Sequence, residues 1–358
     1  MTATVAIAIS GGVDSMVAAH LIRQQTSDCF GIHFKTGYEK KRLGQAAGLD
    51  ALCRQLDLPL HTVDVSASFT KVVVDYFRQA YQNGLTPNPC LVCNPAIKFG
   101  LILETVRRLG ATRLATGHYA RVQAGPDGRL RLHQGLDPRK DQSYFLCRLT
   151  QDQLARAVFP LGTWTKAQVK SLAASRGLQP ATAQESQDVC FIGDMTYSDF
   201  LHRQAQHPFR PGQIVDTNGH TVGRHDGLHR YTVGQRRGIN CPAAQAYYVV
   251  RIDVDRNRLI VGRQAELYAR DCTVHDINWI AVVPPEALAV KVRIRYRHRA
   301  VPALVTPVGS RRAVVRFEQP QAAVTPGQGA VFYRADEVLG GGWIARPGMT
   351  ESKDELES

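Results

Sequence analysis

Residues 5–25 read Val5-Ala6-Ile7-Ala8-Ile9-Ser10-Gly11-Gly12-Val13-Asp14-Ser15-Met16-Val17-Ala18-Ala19-His20-Leu21-Ile22-Arg23-Gln24-Gln25. Val5 to Ile9 is a short apolar run with β-branched residues, which predicts a strand. Met16 to Gln25 carries Val17, Ala18, Leu21 and Ile22 at helical spacing. Between them lies the glycine-rich turn Ser10 to Ser15. A strand, a tight turn and a helix in that order suit anion binding by backbone N–H groups at the helix N-terminus. The glycines let a phosphate approach the backbone, and Ser10 and Ser15 add hydroxyl donors. Asp14 beside a phosphate suggests a Mg²⁺ ligand or shell residue. The loop is neither a Walker A motif nor a dinucleotide fingerprint. It has no Gly-Lys-Ser/Thr and lacks the Gly-x-Gly-x-x-Gly spacing.

The pattern repeats outward from that loop. Cys29–Phe34 and Leu60–Val65 read as strands, and Gln45–Leu56 and Phe69–Tyr81 as helices. Ile97–Leu109 reads as a further helix, and Arg113–Thr116 as a strand running into Gly117 and His118. Alternation of this kind predicts a parallel sheet covered on both faces, with ligands beyond the carboxyl ends of its strands. After about residue 200 the helical periodicity fades. Short β runs stand between turn signals such as Asn218-Gly219 and Asp226-Gly227, and Tyr247–Val254 with Arg258–Val261 reads as a hairpin. We expect an α/β domain over 1–200, a small β-rich domain over 201–265, and a C-terminal β barrel over 266–348. A polar tail over 349–358 is expected to be disordered.

The chain has 358 residues, 44 Lys plus Arg and 31 Asp plus Glu, for a formal net charge of +13. That excess favours a polyanionic partner. No apolar run is long enough to span a bilayer, and the N-terminus has no basic segment typical of a secretory signal. No membrane association is expected. Eight cysteines are too sparse for a disulfide scaffold. A reducing, cytoplasmic setting follows, in which the informative cysteines bind metal or react.

Cys90 and Cys93 form a Cys-x-x-Cys, and Cys190 lies far along the chain. Around them stand TPNPC (86–90), LVCN (91–94), PAIKFG (95–100), ATGHYAR (115–121), KDQSYFL (140–146), CFIG (190–193) and TPGQGAVFY (325–333). With the loop at Ser10–Ser15, these motifs resemble, in order, the bacterial tRNA-specific 2-thiouridylase family of the ATP pyrophosphatase (PP-loop) superfamily. The resemblance runs from about Val5 to about Ile344. It implies an adenine nucleotide α-hydrolase-like PP-loop fold followed by a small β domain and a β barrel. It also implies the activity: ATP adenylates the C2 oxygen of the wobble uridine, pyrophosphate leaves, sulfur attacks C2, and AMP departs. The uridine must leave the anticodon stack for this.

The resemblance also assigns residues. Ala8, Ile9, Ser10, Gly11, Gly12, Val13, Asp14, Ser15, Phe34 and Gly117 would bind ATP, with Phe34 packing on adenine. Asn88, Pro89, Cys90, His118, Lys140, Asp141, Gln142, Arg295, Tyr296 and Gln328 would contact tRNA. Cys190 would receive a persulfide from a relay protein, and Cys93 would be its catalytic partner. Well-described members carry Asp where this chain has Cys90, so a proton transfer dependent on that Asp does not carry over. The departure resembles a second subgroup of thiolases, in which a Cys-x-x-Cys and one distant Cys hold a [4Fe–4S] cluster. Cys90, Cys93 and Cys190 would then be the ligands, and an open fourth iron would deliver sulfide. Three nominated cysteines leave a closed zinc site one ligand short. The other five are expected to be buried small hydrophobes.

One signal stands apart from any resemblance. Over Val290–Arg299, Lys291, Arg293, Arg295, Arg297 and Arg299 alternate with Val290, Val292, Ile294, Tyr296 and His298. Read as one strand, this places five cations on one face. No acidic residue occurs between Ala287 and Phe317, and Arg311, Arg312 and Arg316 add charge. Blocking an edge strand would need only one or two charges, so the pattern predicts a phosphate-contacting face. Three other readings were weighed. A different PP-loop ligase or synthetase would not need the three cysteines, a non-catalytic tRNA-binding protein would not need Ser10–Ser15, and a redox protein would need a thioredoxin-like context.

Overall fold

Strand β1 (Val5–Ala8) has Ala6 and Ile7 fully buried and is covered on both faces. The protein is described as a computed structural model covering residues 4–39, 45–181, 189–204, 209–242 and 244–347. The expected tail at 349–358 lies outside the described residues. Beside β1 run β2 (Cys29–Lys35), β3 (Leu60–Asp64) and β4 (Arg113–Ala115). The hairpin β5 (Ala120–Ala124) and β6 (Leu130–Gln134) follows, then the short β7 (Ala157–Val158). The first sheet is parallel throughout, in the order β3-β2-β1-β4-β7. The chain leaves β1 toward β2 on one side and returns to β4 on the other. The carboxyl ends of β1 and β4 therefore flank the crevice where such sheets take ligands.

The helix Val13–Gln25 buries Met16, Val17, Ala18, Ala19 and Ile22 against this sheet. A second helical run spans residues 66–82, with a π turn at Thr70–Val74. A third spans residues 90–108 and is π-helical over Asn94–Ile102. Pro95 brings no N–H to that stretch. Gln153 Nε2 donates to the carbonyls of Pro95 at 2.8 Å and Phe99 at 3.1 Å, filling the widened turn.

The central unit holds β8 (Gly212–Asp216), β9 (Thr221–His225), β10 (Tyr248–Asp253) and β11 (Arg258–Gly262), ordered β10-β11-β8-β9. The C-terminal unit holds β12 (Tyr268–Trp279), β13 (Leu288–Arg293), β14 (Val301–Val308), β15 (Arg312–Ala322), β16 (Gly329–Arg334) and β17 (Glu337–Ile344). These six run β12-β15-β14-β13-β16-β17, and β12 pairs with β17 to close the barrel. Closure removes free sheet edges. Alternate residues such as Val290, Val292, Val305, Val315 and Phe332 point inward.

Two expectations are corrected, and one element was not read from the sequence. The β5–β6 hairpin was not read, and it joins the barrel sheet, with Glu337 opposite His133 and Val338 opposite Leu132. Two of the remaining cysteines, Cys241 and Cys272, are only half-buried. The basic strand is the other correction, because β13 stops at Arg293. The Arg293 side chain turns back on the following segment, donating to the carbonyls of His298 at 3.0 Å and of Tyr296. His298 N donates to Arg295 O in the resulting turn. Five cations on one strand face are therefore not formed. Lys291, Arg297 and Arg299 remain exposed, whereas Arg293, on the outer face of the barrel, is covered by its pairing with Asp141.

Candidate active site

The loop after β1 meets the loop after β4. Gly11 has φ +86°, a conformation glycine adopts without strain. Gly12 caps the helix Val13–Gln25 with no side-chain hydrogen bond, so the first backbone donors of the helix are left for a ligand. Ser15 Oγ donates to Gly12 O at 2.9 Å and lies 3.1 Å from Ser10 Oγ, which shapes the loop from inside. Gly117 follows β4 and packs on this turn. A Cβ there would lie 3.0 Å from Asp14 C and Ser15 N, so a side chain at this position would require the backbone of the loop to shift. Phe34, at the end of β2, is half-buried against the core.

Asp14 does not face an open phosphate site alone. Lys166 Nζ donates to its Oδ1 at 2.7 Å and its Oδ2 at 2.8 Å, and Tyr119 OH donates to Oδ1 at 2.7 Å. Both carboxylate oxygens are taken up by the protein. Asp14 therefore does not fit the role of a free magnesium ligand.

Cys90 and Cys93 start the third helical run, where Cys93 N donates to Pro89 O at 2.8 Å. Three residues apart, they share one helix face. Cys190 is exposed, and its position is held by the next residue. The Phe191 ring is packed at centroid distances of 5.2 to 6.0 Å from Tyr38, Phe69, Phe77 and Phe200. The three thiols act electrostatically on one another, and the Lys98 ammonium acts on all three. Burial is the larger effect. It pushes the Cys90 thiol up to about 11 and Cys93 up to about 12. Lys98 opposes each of these shifts. Unligated, the thiols of Cys90 and Cys93 are protonated at neutral pH, whereas metal coordination would deprotonate them.

The donor set is three thiols that all feel the charge of one lysine. Its chemistry suits thiolate ligation of an iron–sulfur cluster with one iron left open. Among the described residues, no three Cys, His, Asp or Glu side chains already converge as a site for a single metal ion.

Lys98 was not singled out from the sequence. It lies on the π-helical stretch, a feature often found at functional sites. Its ammonium donates to His118 Nε2 at 3.4 Å. Burial holds the His118 ring neutral by lowering its pKa well below the usual histidine range. Since Nε2 accepts, Nδ1 carries the proton and donates to Thr116 Oγ1 at 2.7 Å. His118 is 8% exposed, with the rings of Phe99 and Phe159 beside it. It is placed to hold Lys98 and presents little surface to a nucleic acid.

The residues nominated for tRNA divide in two. Asn88 and Pro89 lead directly into Cys90, and Thr86 and Pro87 before them lie against the barrel. Gln328 Nε2 donates to the carbonyls of Thr86 at 2.9 Å and Pro87 at 3.3 Å, and Tyr144 OH donates to Gly329 O at 3.0 Å. Gln328 thus ties the barrel to the cysteine loop. Asp141 is 2% exposed and accepts from Gly135 N, Ser143 N and Arg293. Gln142 Oε1 accepts from Tyr119 N at 3.1 Å. These two side chains are occupied inside the protein. Tyr296 lies on Phe145 at 4.3 Å between centroids, and Arg295 is half-buried with a donor 3.5 Å from Ala322 O. The Arg293–Asp141 pair brings the 140–142 turn and the 294–299 turn side by side.

Comparison with known proteins agrees along the whole chain. The family described as tRNA methyl transferase HUP domain matches residues 3–194. The associated PRC-barrel domain matches 198–263, and an aminomethyltransferase beta-barrel domain matches 269–344. The chain is 52% identical over 340 residues to the tRNA-specific 2-thiouridylase MnmA of Desulfosudis oleivorans, covering 95% of this chain and 94% of that protein. It is 44% identical to MnmA of Geobacter metallireducens, with 95% and 96% covered, and 43% identical to MnmA of Chloroflexus aurantiacus, with 96% and 99% covered.

Proposed function

The chain belongs to the tRNA-specific 2-thiouridylase family, and from that premise we propose that it moves sulfur to the wobble uridine of tRNA through Cys90, Cys93 and Cys190. It is an ATP-dependent tRNA-uridine 2-sulfurtransferase. The family description speaks of methyl transfer, but the names of the relatives and the thiol trio both point to sulfur.

The uridine O2 attacks the α-phosphorus of ATP, and pyrophosphate leaves. The open N–H groups at Val13–Gln25 hold the phosphates, Gly117 lets them lie close, and Phe34 covers adenine. A sulfur nucleophile then adds at C2, and AMP departs with the former O2. Cys90 and Cys93 are half-buried, and tRNA bound over them would exclude the water that competes at C2. Lys98 supplies positive charge where anionic sulfur must be stabilised.

The observation that carries this reading is that Cys90, Cys93 and Cys190 influence one another electrostatically and all three feel the charge of Lys98. We assign Cys90, Cys93 and Cys190 as the residues that would hold a [4Fe–4S] cluster. Bound there, a cluster would present an iron with an open position for sulfide. The exposure of Cys190 favours one second reading, a persulfide on Cys190 resolved by Cys93. In the persulfide reading the sulfur comes from a relay protein that already carries a persulfide and leaves as a thiol, whereas the cluster reading also accepts inorganic sulfide, which needs no oxidation to bind an open iron. The exposed cations Lys291, Arg297 and Arg299 serve phosphate contact. Among the described residues, no helix is long and apolar enough to cross a membrane.

Anaerobic purification with iron and sulfide analysis, run on wild type and Cys90→Ala, tests the assignment. tRNA thiolation is measured on the same samples. Cluster in the wild type, with cluster and thiolation both lost in the variant, supports ligation. Full thiolation by iron-free protein returns the reaction to the Cys190 persulfide.

A further inference from the structure

Asp14 is the only acidic residue among the first 27 of the chain, and it sits in the second helical position after the phosphate loop. A bare carboxylate there would compete with a bound polyphosphate for the same backbone donors and repel it. The protein answers it from far along the chain. Lys166 opens the helix Lys166–Ser175, and its side chain is only 9% exposed. Its position is fixed from several directions. Thr165 and Gln168 form a capping box around it, and its backbone N–H donates to Asp137 Oδ2 at 3.0 Å. Asp137 is itself held by Arg139 N at 3.0 Å. From that anchor the ammonium reaches both Asp14 oxygens, and Tyr119 OH adds a third donor.

We propose that Lys166 is a positioning residue of the nucleotide site, neutralising Asp14 so that the carboxylate braces the phosphate loop and does not ligate magnesium. Mg²⁺ then arrives on the phosphates of ATP without a carboxylate from this loop. The inference rests on the reading of Ser10–Ser15 as the ATP site.

Calorimetric titration of the tRNA-free protein with Mg·ATP tests it. Lys166→Met leaves Asp14 uncompensated and should weaken binding by roughly 30-fold or more. Lys166→Arg should bind within a few-fold of wild type. Asp14→Asn alone is read for its magnesium dependence, which should be unchanged whatever the loss of bracing does to affinity. The decisive comparison is Asp14→Asn/Lys166→Met, which should recover most of the loss. Recovery of that kind reports charge and would not follow from a packing defect. A double variant as weak as Lys166→Met would show that Lys166 touches the nucleotide itself and would overturn the inference. Loss of the magnesium dependence in Asp14→Asn would overturn it from the other side. If Lys166→Met does not fold, Lys166→Gln takes its place, since it keeps a donor toward Asp14 and removes only the charge. A wild type that does not bind Mg·ATP would refute the ATP reading of the loop itself, a result distinct from any of these.

Discussion

Lys98 Nζ lies 3.4 Å from Nε2 of His118, a buried neutral ring whose other nitrogen is engaged by Thr116. The histidine accepts from the ammonium and cannot neutralise it, so the cation keeps its full charge beside the thiols. Among the described residues, no carboxylate is ion-paired with Lys98. Replacing it by Met should lower the single-turnover rate of tRNA thiolation by about 10²-fold, the size seen when one preorganised stabilising donor is removed. Lys98→Arg should retain part of the rate, and Mg·ATP affinity should stay unchanged. Equal loss in the Arg and Met variants would show that geometry rather than charge is what Lys98 supplies.

Gln328 reaches from the barrel to the carbonyls of Thr86 and Pro87, a few residues before Cys90. The contact is close all along this seam. A Cβ on Gly329 would come within 2.5 Å of Leu91, which is fully buried between the two cysteines. Gln328→Ala should therefore misplace the cysteine loop, lowering kcat for thiolation while leaving the Kd for tRNA within a few-fold of wild type. A fall in tRNA affinity with kcat intact would make Gln328 a contact to the RNA instead.

How much of this was legible follows from sequence distance. The strand, loop and helix around Ser10–Ser15 were readable because every determinant lies within about 20 residues, and β2 to β4 followed from the same alternation. Cys90, Cys93 and Cys190 were identified by type and motif. Lys166 was not, because its partner Asp14 lies 152 positions away and nothing local marks it. The basic strand was over-read for the same reason. Alternation from Val290 to Arg299 is genuine in the sequence, but Arg293 is covered by its pairing with Asp141, also 152 positions distant. The β5–β6 hairpin has ordinary strand texture, and only the assembled barrel decides which sheet it joins.

The cations of that segment should accordingly behave in two ways. Lys291, Arg297 and Arg299 are exposed, and replacing each by Ala should reduce the slope of log Kd for tRNA against log salt by about 1. Arg293 is 15% exposed and bonded to a carboxylate that is 2% exposed. Arg293→Ala leaves Asp141 buried without its cation, which should cost about 3–5 kcal/mol of stability. Urea unfolding and filter-binding titrations on the same proteins separate the two classes. A stable Arg293→Ala protein with a reduced salt slope would place Arg293 on the RNA.

The central unit carries a pH-dependent weakness of its own. His229 is 2% exposed, its ring lies 3.4 Å from that of Phe209, and neither nitrogen has a hydrogen-bond partner among the described residues. Burial, then the charge of Arg230 and the nearby His202 and His225, lowers its pKa from 6.5 to about 4. The unfolded chain therefore takes up this proton at higher pH than the folded one. Stability from His229 is fully present above about pH 6.5 and is lost as pH falls toward 4, by roughly 3 kcal/mol across the window. His225 is shifted in the same direction. Amide exchange in β8 to β11 should accelerate between pH 6.5 and 4, after correction for the intrinsic pH dependence of exchange. In His229→Phe, which keeps the stacked ring and removes the proton, most of that acceleration should disappear. An equal acid response in wild type and His229→Phe would assign the weakness to other groups.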